Sequence, residues 1–307
     1  MTMTARETTG ALQASGGPDA AVCATCPRHC RLAPGALGAC RARRNVDGAV
    51  VAENYGRVTS LALDPVEKKP LARFMSGSYV VSVGSYGCNL ACPFCQNFEI
   101  SQAGAPDVDW REVGPEELAA LAADARRRDP RVTGVAFTYN EPLVGWEYVR
   151  DASVAARERG LVSVLVSNGC AEPGVVDELA PLLDAANIDL KGFSSAFYEK
   201  CGAADGAAAL AAVRGTIERL AAEPGCHVEV TTLVVPGMND SEEEVAAIAA
   251  WLASLDGGRG AKKIVHHVTR FFPRWRMLDA APTPVATVYA LADVSRRWLR
   301  HVHVGNC

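Results

Sequence analysis

The stretch Cys88-Asn-Leu-Ala-Cys92-Pro-Phe-Cys95 decides how this chain is read. Its spacings of four and then three residues put three thiols on one short loop. Three ligands are one short of the four that close a structural metal site. They suit a cubane iron–sulfur (4Fe-4S) cluster in which Cys88, Cys92 and Cys95 hold three irons. The fourth iron then keeps an open position where a substrate or cofactor binds and accepts an electron. A zinc knuckle is the plainer alternative. The run follows the apolar stretch Tyr79–Gly84 and sits among Gly, Ser and Asn, which reads as a strand followed by a loop.

Outward from that loop, 307 residues suffice for one large domain with an appendage. The small, polar, Gly-rich residues 1–21 read as a disordered tail without the apolar core of a signal peptide. Residues 22–75 read as a Cys-rich accessory module and 76–307 as the main domain. Net charge is −4, with Lys and Arg spread along the chain, so no basic block points to nucleic acid or an anionic membrane. Apolar runs are strand-length and interrupted, too short to span a bilayer. The eleven cysteines are odd in number and clustered as C-x2-C and C-x3-C. That favours metal in a reducing cytoplasm over a disulfide framework.

Beyond the loop, apolar runs at 79–84, 133–139, 162–167, 186–191, 227–235 and 263–270 alternate with helical segments. The latter lie near 115–128, 144–159, 174–184, 207–222, 241–254 and 285–299, with Pro115 and Ser241-Glu-Glu-Glu as helix starts. This alternation predicts an α/β fold with parallel strands and crossover helices. Six such units fit a partial (β/α)6 barrel, and a doubly wound sheet shares the pattern. Each strand is followed by a polar, Gly- or Pro-marked segment, among them Thr138-Tyr-Asn-Glu-Pro142, Ser167-Asn-Gly169 and Asp189-Leu-Lys-Gly192. In parallel α/β folds the chemistry gathers at these C-terminal strand ends.

Ahead of the barrel, Cys23, Cys26, Cys30 and Cys40 make a four-thiol set, suited to zinc or to an auxiliary iron–sulfur cluster. Cys170, Cys201 and Cys226 are widely spaced and read as buried thiols. Cys170, beside the Ser-Asn-Gly turn, and Cys201 are also placed to face a substrate.

The Cys-x3-Cys-x2-Cys run, with an aromatic residue before its last cysteine, resembles the radical S-adenosylmethionine (SAM) enzymes. The resemblance implies that SAM chelates the open iron through its amino and carboxylate groups. An electron passed into the sulfonium then gives methionine and a 5′-deoxyadenosyl radical, which abstracts hydrogen from a substrate the sequence does not name. It implies an electron donor such as flavodoxin or ferredoxin, and places Phe94 near the adenine. Asn140 and Glu141 stand where such enzymes carry a Gly-Gly-Glu-Pro-like motif, with Glu141 accepting from the ammonium. Lys191, on the same strand face as Asp189, supplies a cation for the carboxylate. Ser167 and Asn168 offer hydroxyl and amide groups to ribose or carboxylate. No catalytic residue beyond the cluster loop is assigned.

Further motifs sharpen the resemblance. Cys23-Ala-Thr-Cys-Pro27, Asp64-Pro-Val-Glu-Lys-Lys-Pro70, Cys95-Gln-Asn97, Ile100-Ser-Gln102 and Asn187-Ile-Asp-Leu-Lys-Gly192 are similar to the radical SAM member of the AmmeMemoRadiSam system. That subgroup is related to pyruvate formate-lyase activating enzymes. Membership implies Memo-like and AMMECR1-like companion proteins. Two departures stand out. Activases carry an acidic residue where this chain has Val166, and relatives extend past the Gly-Asn pair that is followed here only by Cys307. A glycyl-radical-enzyme activase and a metal-binding scaffold without catalysis are the alternative functions.

Overall fold

The computed structural model describes residues 19–307, so the tail expected over 1–21 lies almost wholly outside the described residues. The six expected strands form as β2 (Tyr79–Gly84), β3 (Val132–Phe137), β4 (Val162–Ser167), β5 (Ala185–Asp189), β6 (His227–Val234) and β7 (Val265–Arg270). Two more strands join them. β1 (Ser60–Pro65) pairs antiparallel with β2, and β8 (His301–Gly305) pairs parallel with β7. The sheet order is β8-β7-β6-β5-β4-β3-β2-β1, parallel throughout except for β1.

Six helices make the crossovers: α1 (Pro115–Arg128), α2 (Trp146–Glu158), α3 (Pro173–Leu179), α4 (Gly206–Ala222), α5 (Glu242–Ser254) and α6 (Val285–Arg296). Their starts follow capping chemistry. Pro115 is the first residue of α1, where no N–H is needed. Ser241 caps α5 by accepting from the Glu244 N–H. β8 escaped the sequence reading because His301-Val-His-Val-Gly305 is short and carries half-exposed histidines rather than an apolar run.

The outer face of the sheet packs on the helices in one continuous core that includes Val81, Val83, Val135, Leu165, Ile188 and Val230. The inner face of β2 to β5 carries Val80, Ala136, Val164 and Ala185, and these pack on Val66 and Leu71 of the segment joining β1 to β2. That segment works as a strap across the barrel base. The Pro70 carbonyl accepts from Asn187 Nδ2 at 2.8 Å, and the Ala72 and Arg73 N–H groups donate to Glu229 at 2.9 and 2.8 Å. Ser60–Arg73 therefore sits with the barrel, not with the accessory module expected over 22–75. The remaining N-terminal part holds two short antiparallel pairs, Ala21–Val22 with Arg31–Leu32 and Arg43–Val46 with Ala49–Ala52. Among the described residues no helix is long and apolar enough to cross a membrane.

Leu71 is fully buried, so Leu71→Ala should cost about 2–5 kcal/mol, read as a lowered denaturant midpoint. Glu229 adds a pH dependence. Burial opposes its charged form, yet hydrogen bonds with the His227 and His267 rings and from the strap N–H groups hold its pKa down to about 2 instead of 4.5. A depressed carboxylate stabilises the fold fully above the ordinary value and loses that contribution as pH falls through the folded one. Denaturation midpoints measured at pH values descending through that window should fall in the wild type, and by less in Glu229→Gln.

Candidate active site

Above the strap the barrel is hollow. A cavity of about 580 Å³ opens at the C-terminal strand ends, within the usual range for ligand sites. Glu67, just after β1, and His303 and Asn306, at the far edge of the sheet, line the same space. The open sheet is thus curled into a partial barrel.

Cys88, Cys92 and Cys95 all line this cavity. Their loop is held by amide side chains rather than by regular structure. Asn140 spends its amide on backbone, accepting from the Ser85 N–H at 2.9 Å and donating to the Tyr86 and Gly87 carbonyls at 3.0 and 3.1 Å. Asn97 donates to the Tyr139 carbonyl at 2.7 Å, and Gln102 to the Leu90 carbonyl at 2.9 Å. Tyr139 is held at φ +73°, a conformation disfavoured for a bulky residue. Its hydroxyl donates to Asp64 at 2.6 Å, and Asp64 also pairs with the buried Lys69 at 2.8 Å. The Asp64–Pro70 motif therefore anchors the Tyr139–Glu141 turn to the strap. Gly87 has φ +90°, and a Cβ there would meet the Cys40 carbonyl at 2.5 Å. The N-terminal cysteine segment lies directly against the cluster loop.

All seven expected SAM contacts (Phe94, Asn140, Glu141, Ser167, Asn168, Asp189 and Lys191) line the cavity. Their present partners differ from one to the next. The buried Glu141 accepts from Ser167 Oγ at 2.6 Å, the Leu143 N–H at 2.9 Å and the Asn168 N–H at 2.7 Å. A carboxylate has about four acceptor positions, so one remains. Burial pushes the Glu141 carboxyl up, against the pull of those three hydrogen bonds. Ser167 is engaged by Glu141. Asn168 donates to Asn89 Oδ1 at 2.9 Å and to Cys88 Sγ at 3.6 Å. Lys191 and Asp189 pair at 2.9 Å. Burial works against the Lys191 ammonium, but the negative charges of Asp189 and the Cys92 thiolate hold its pKa well above the ordinary value. Phe94 packs on Phe197 and Phe271 at ring distances of 6.2 and 6.4 Å.

The three thiols fit an iron–sulfur cluster by their donors as well as by their exposure to one cavity. Cys88 Sγ receives the Leu90 N–H at 3.4 Å in addition to Asn168, and Cys201 is hydrogen-bonded to Cys92, which lowers the Cys92 pKa. Such donors to sulfur tune a cluster's potential. Among the described residues no three His, Cys, Asp or Glu side chains are arranged to hold one metal ion. A cubane differs in presenting its irons to thiolates at separate corners. Cys23, Cys26 and Cys40 are buried and Cys30 partly so, and Asn89 joins Cys26 to Asn168.

Residues 82–249 match the model of the Radical SAM superfamily. The chain belongs to that family. Radical SAM enzymes use SAM and an iron–sulfur cluster. The chain is 37% identical over 285 residues to an uncharacterized protein of Methanocaldococcus jannaschii, covering 92% of this chain and 80% of that one. A putative glycyl-radical enzyme activating enzyme from the same organism is 27% identical over 175 residues, 56% of this chain and 67% of its own length. A radical SAM methyltransferase from Sphaerobacter thermophilus aligns with a TM-score of 0.52 at 18% identity, over 74% of this chain and 66% of that chain. SuiB of Streptococcus suis bound to S-adenosylmethionine gives 0.51 at 11% identity, over 74% and 52%. These last two are likenesses of fold.

Sequence reasoning missed Tyr139, Asn89 and Cys201 as supports of the loop, and His267 and His303 as cavity residues. Cys201, Asn89 and the histidines come together only through folding. Tyr139 was in view, inside the Thr-Tyr-Asn-Glu-Pro motif. Asn140→Ala should free the loop without unfolding the protein. Hydrogen exchange at the Ser85 amide should then quicken while exchange in β5 and β6 stays unchanged.

Proposed function

We propose that Cys88, Cys92 and Cys95 hold a 4Fe-4S cluster and that the chain reductively cleaves SAM to generate a 5′-deoxyadenosyl radical. The observation that carries this is the meeting of three cysteine thiols, a carboxylate with a free acceptor position and a paired ammonium in one cavity. When bound, the cluster supplies one electron to the SAM sulfonium. The protein's part is recognition. Glu141 accepts from the SAM ammonium, and Lys191, kept charged by Asp189, faces the carboxylate. Phe94 offers an apolar wall to the adenine. Asn140, Ser167 and Asn168 act chiefly by holding the cluster loop and Glu141 in place. The rest of the cavity, toward β6 to β8, takes the substrate from which hydrogen is abstracted.

The test is anaerobic reconstitution with iron and sulfide, then dithionite and SAM, with 5′-deoxyadenosine measured by mass spectrometry. Fully loaded wild-type protein that releases none defeats the proposal. Cys92→Ala should lose both cluster iron and product. Lys191→Ala should retain iron and weaken SAM binding by about 1.5–3 kcal/mol, the worth of a hydrogen bond to a charged group, or roughly ten- to a hundredfold.

A second reading is activation of a glycyl-radical enzyme, favoured by the relative of that putative description. A backbone radical signal on a candidate partner, dependent on this protein and SAM, distinguishes it. The Asp64–Pro70 and Asn187–Gly192 motifs favour a place in the AmmeMemoRadiSam system, with Memo-like and AMMECR1-like partners and a flavodoxin- or ferredoxin-type donor. The Cys23, Cys26, Cys30 and Cys40 set is proposed to hold zinc or an auxiliary cluster, zinc requiring the thiols to draw closer around one point than they stand here. Zinc, iron and sulfide content of Cys26→Ala against wild type separates those two.

A further inference from the structure

The inner face of β6 to β8 differs from that of β2 to β5. Where the latter carries Val80, Ala136 and Val164, β6 places His227, Glu229 and Thr231 inward, β7 places His267, and β8 places His301 and His303. Glu229 is fully buried. One carboxylate oxygen faces His227 Nε2 at 2.9 Å and the other faces His267 Nε2 at 2.5 Å. His267 lines the 580 Å³ cavity at the top of the barrel. His227 lines a second cavity, of about 520 Å³, at the opposite end, together with His301, Arg73, Lys262 and Lys263. The three side chains thus form a hydrogen-bonded line through the packed base, from one cavity to the other.

The strap does not require this line. Two backbone N–H groups need two acceptors, and burying an ionised carboxylate with two imidazoles costs more than the neutral Asn187 and Val265 that stand beside Glu229 in the adjacent strands. Charged and titratable neighbours come from every side. His303 stacks on His267 with ring centroids 5.5 Å apart, and Arg73 of the strap and His301 stand near Glu229. On β7 itself, His266 points to the outer face, bonded to Ser295 and Thr232. Asp184 and Glu223 stand with the two lysines around His227.

We propose that His267, Glu229 and His227 form a proton path between the reaction cavity and the basal pocket, with His267 as the acid–base residue that meets the substrate. The proposal rests on reading the upper cavity as the reaction chamber. Glu229, as acceptor, holds the His267 proton on Nε2 and leaves Nδ1 as the acceptor in the cavity. A proton from a substrate O–H or N–H goes to Nδ1 while the Nε2 proton passes to Glu229. The proton on Glu229 then moves to Nε2 of His227, which takes part as its Nδ1–H tautomer, and the Nδ1 proton leaves to water at the basal pocket. One proton crosses, only N–H and O–H bonds change, and no electron moves. The substrate class is a molecule with a hydroxyl or amino group beside the carbon that loses hydrogen.

The test uses full-length, reconstituted protein labelled with ¹⁵N-histidine, with S-adenosylhomocysteine present to occupy the cavity mouth. Nitrogen shifts should report His267 as the Nε2–H tautomer. Exchange of that proton with water should slow severalfold in His227→Phe, which leaves Glu229 and the strap in place, and the tautomer should become mixed in Glu229→Gln. A proton found on Nδ1 overturns the acid–base role, and an unchanged exchange rate in His227→Phe overturns the path. Release of 5′-deoxyadenosine by the same wild-type preparation is read separately. Its absence removes the reaction chamber and with it the substrate role, whatever the exchange rates show.

Discussion

A curled parallel sheet encloses a space, and the base of that space must be filled while its top stays hollow. Here the filling is one strap. Val66 and Leu71 supply the apolar volume, and Glu229 and Asn187 fix the strap's backbone from β6 and β5. Without it the inner faces of β2 to β5 would have no packing partner. With it, the cavity begins where the strap ends. The buried Asp64–Lys69 pair extends the same constraint upward, because Asp64 also receives the Tyr139 hydroxyl and so ties the strap to the turn carrying Asn140 and Glu141.

The cluster loop is positioned by neutral hydrogen bonds more than by charge. Asn140, Asn97 and Gln102 act on its backbone, and Asn168 reaches a cysteine sulfur. Amide side chains suit this task because they satisfy backbone groups without adding charge beside thiolates. The charged groups of the site are few and already balanced, as in Lys191 with Asp189. Such balance keeps the desolvation cost of a buried ammonium within reach. The N-terminal cysteines come close to this loop through Cys40 at Gly87 and through the Cys26–Asn89–Asn168 contacts. A centre held there would touch the surroundings of the Cys88–Cys95 loop.

Several residues did more than one job, and this is where sequence and structure part. Asn140 and Ser167 were expected to meet SAM; they line the cavity that holds the three thiols, yet their polar atoms are taken up by the loop and by Glu141. Glu141 was expected as a ligand for the ammonium and also caps the turn that follows β3. The cap leaves room for the proposed role because a carboxylate accepts several hydrogen bonds at once. Local sequence shows residue type and strand end, but not how many of a side chain's lone pairs are already used.

The sequence by itself determined the three-cysteine loop, the six alternating units and the polar strand ends, because each is a matter of spacing and periodicity within about twenty residues. The N-terminal thiols and the Asp64–Pro70 motif were equally visible, though not what the latter holds. Tertiary structure alone decided that Cys201 meets Cys92, that Asn89 bridges two cysteine segments and that β8 completes the sheet. It also decided that three inward side chains on β6 and β7 link two cavities. Those contacts join residues distant in the chain, and their energies come from burial and hydrogen-bond geometry that exist only once the sheet has curled around its strap.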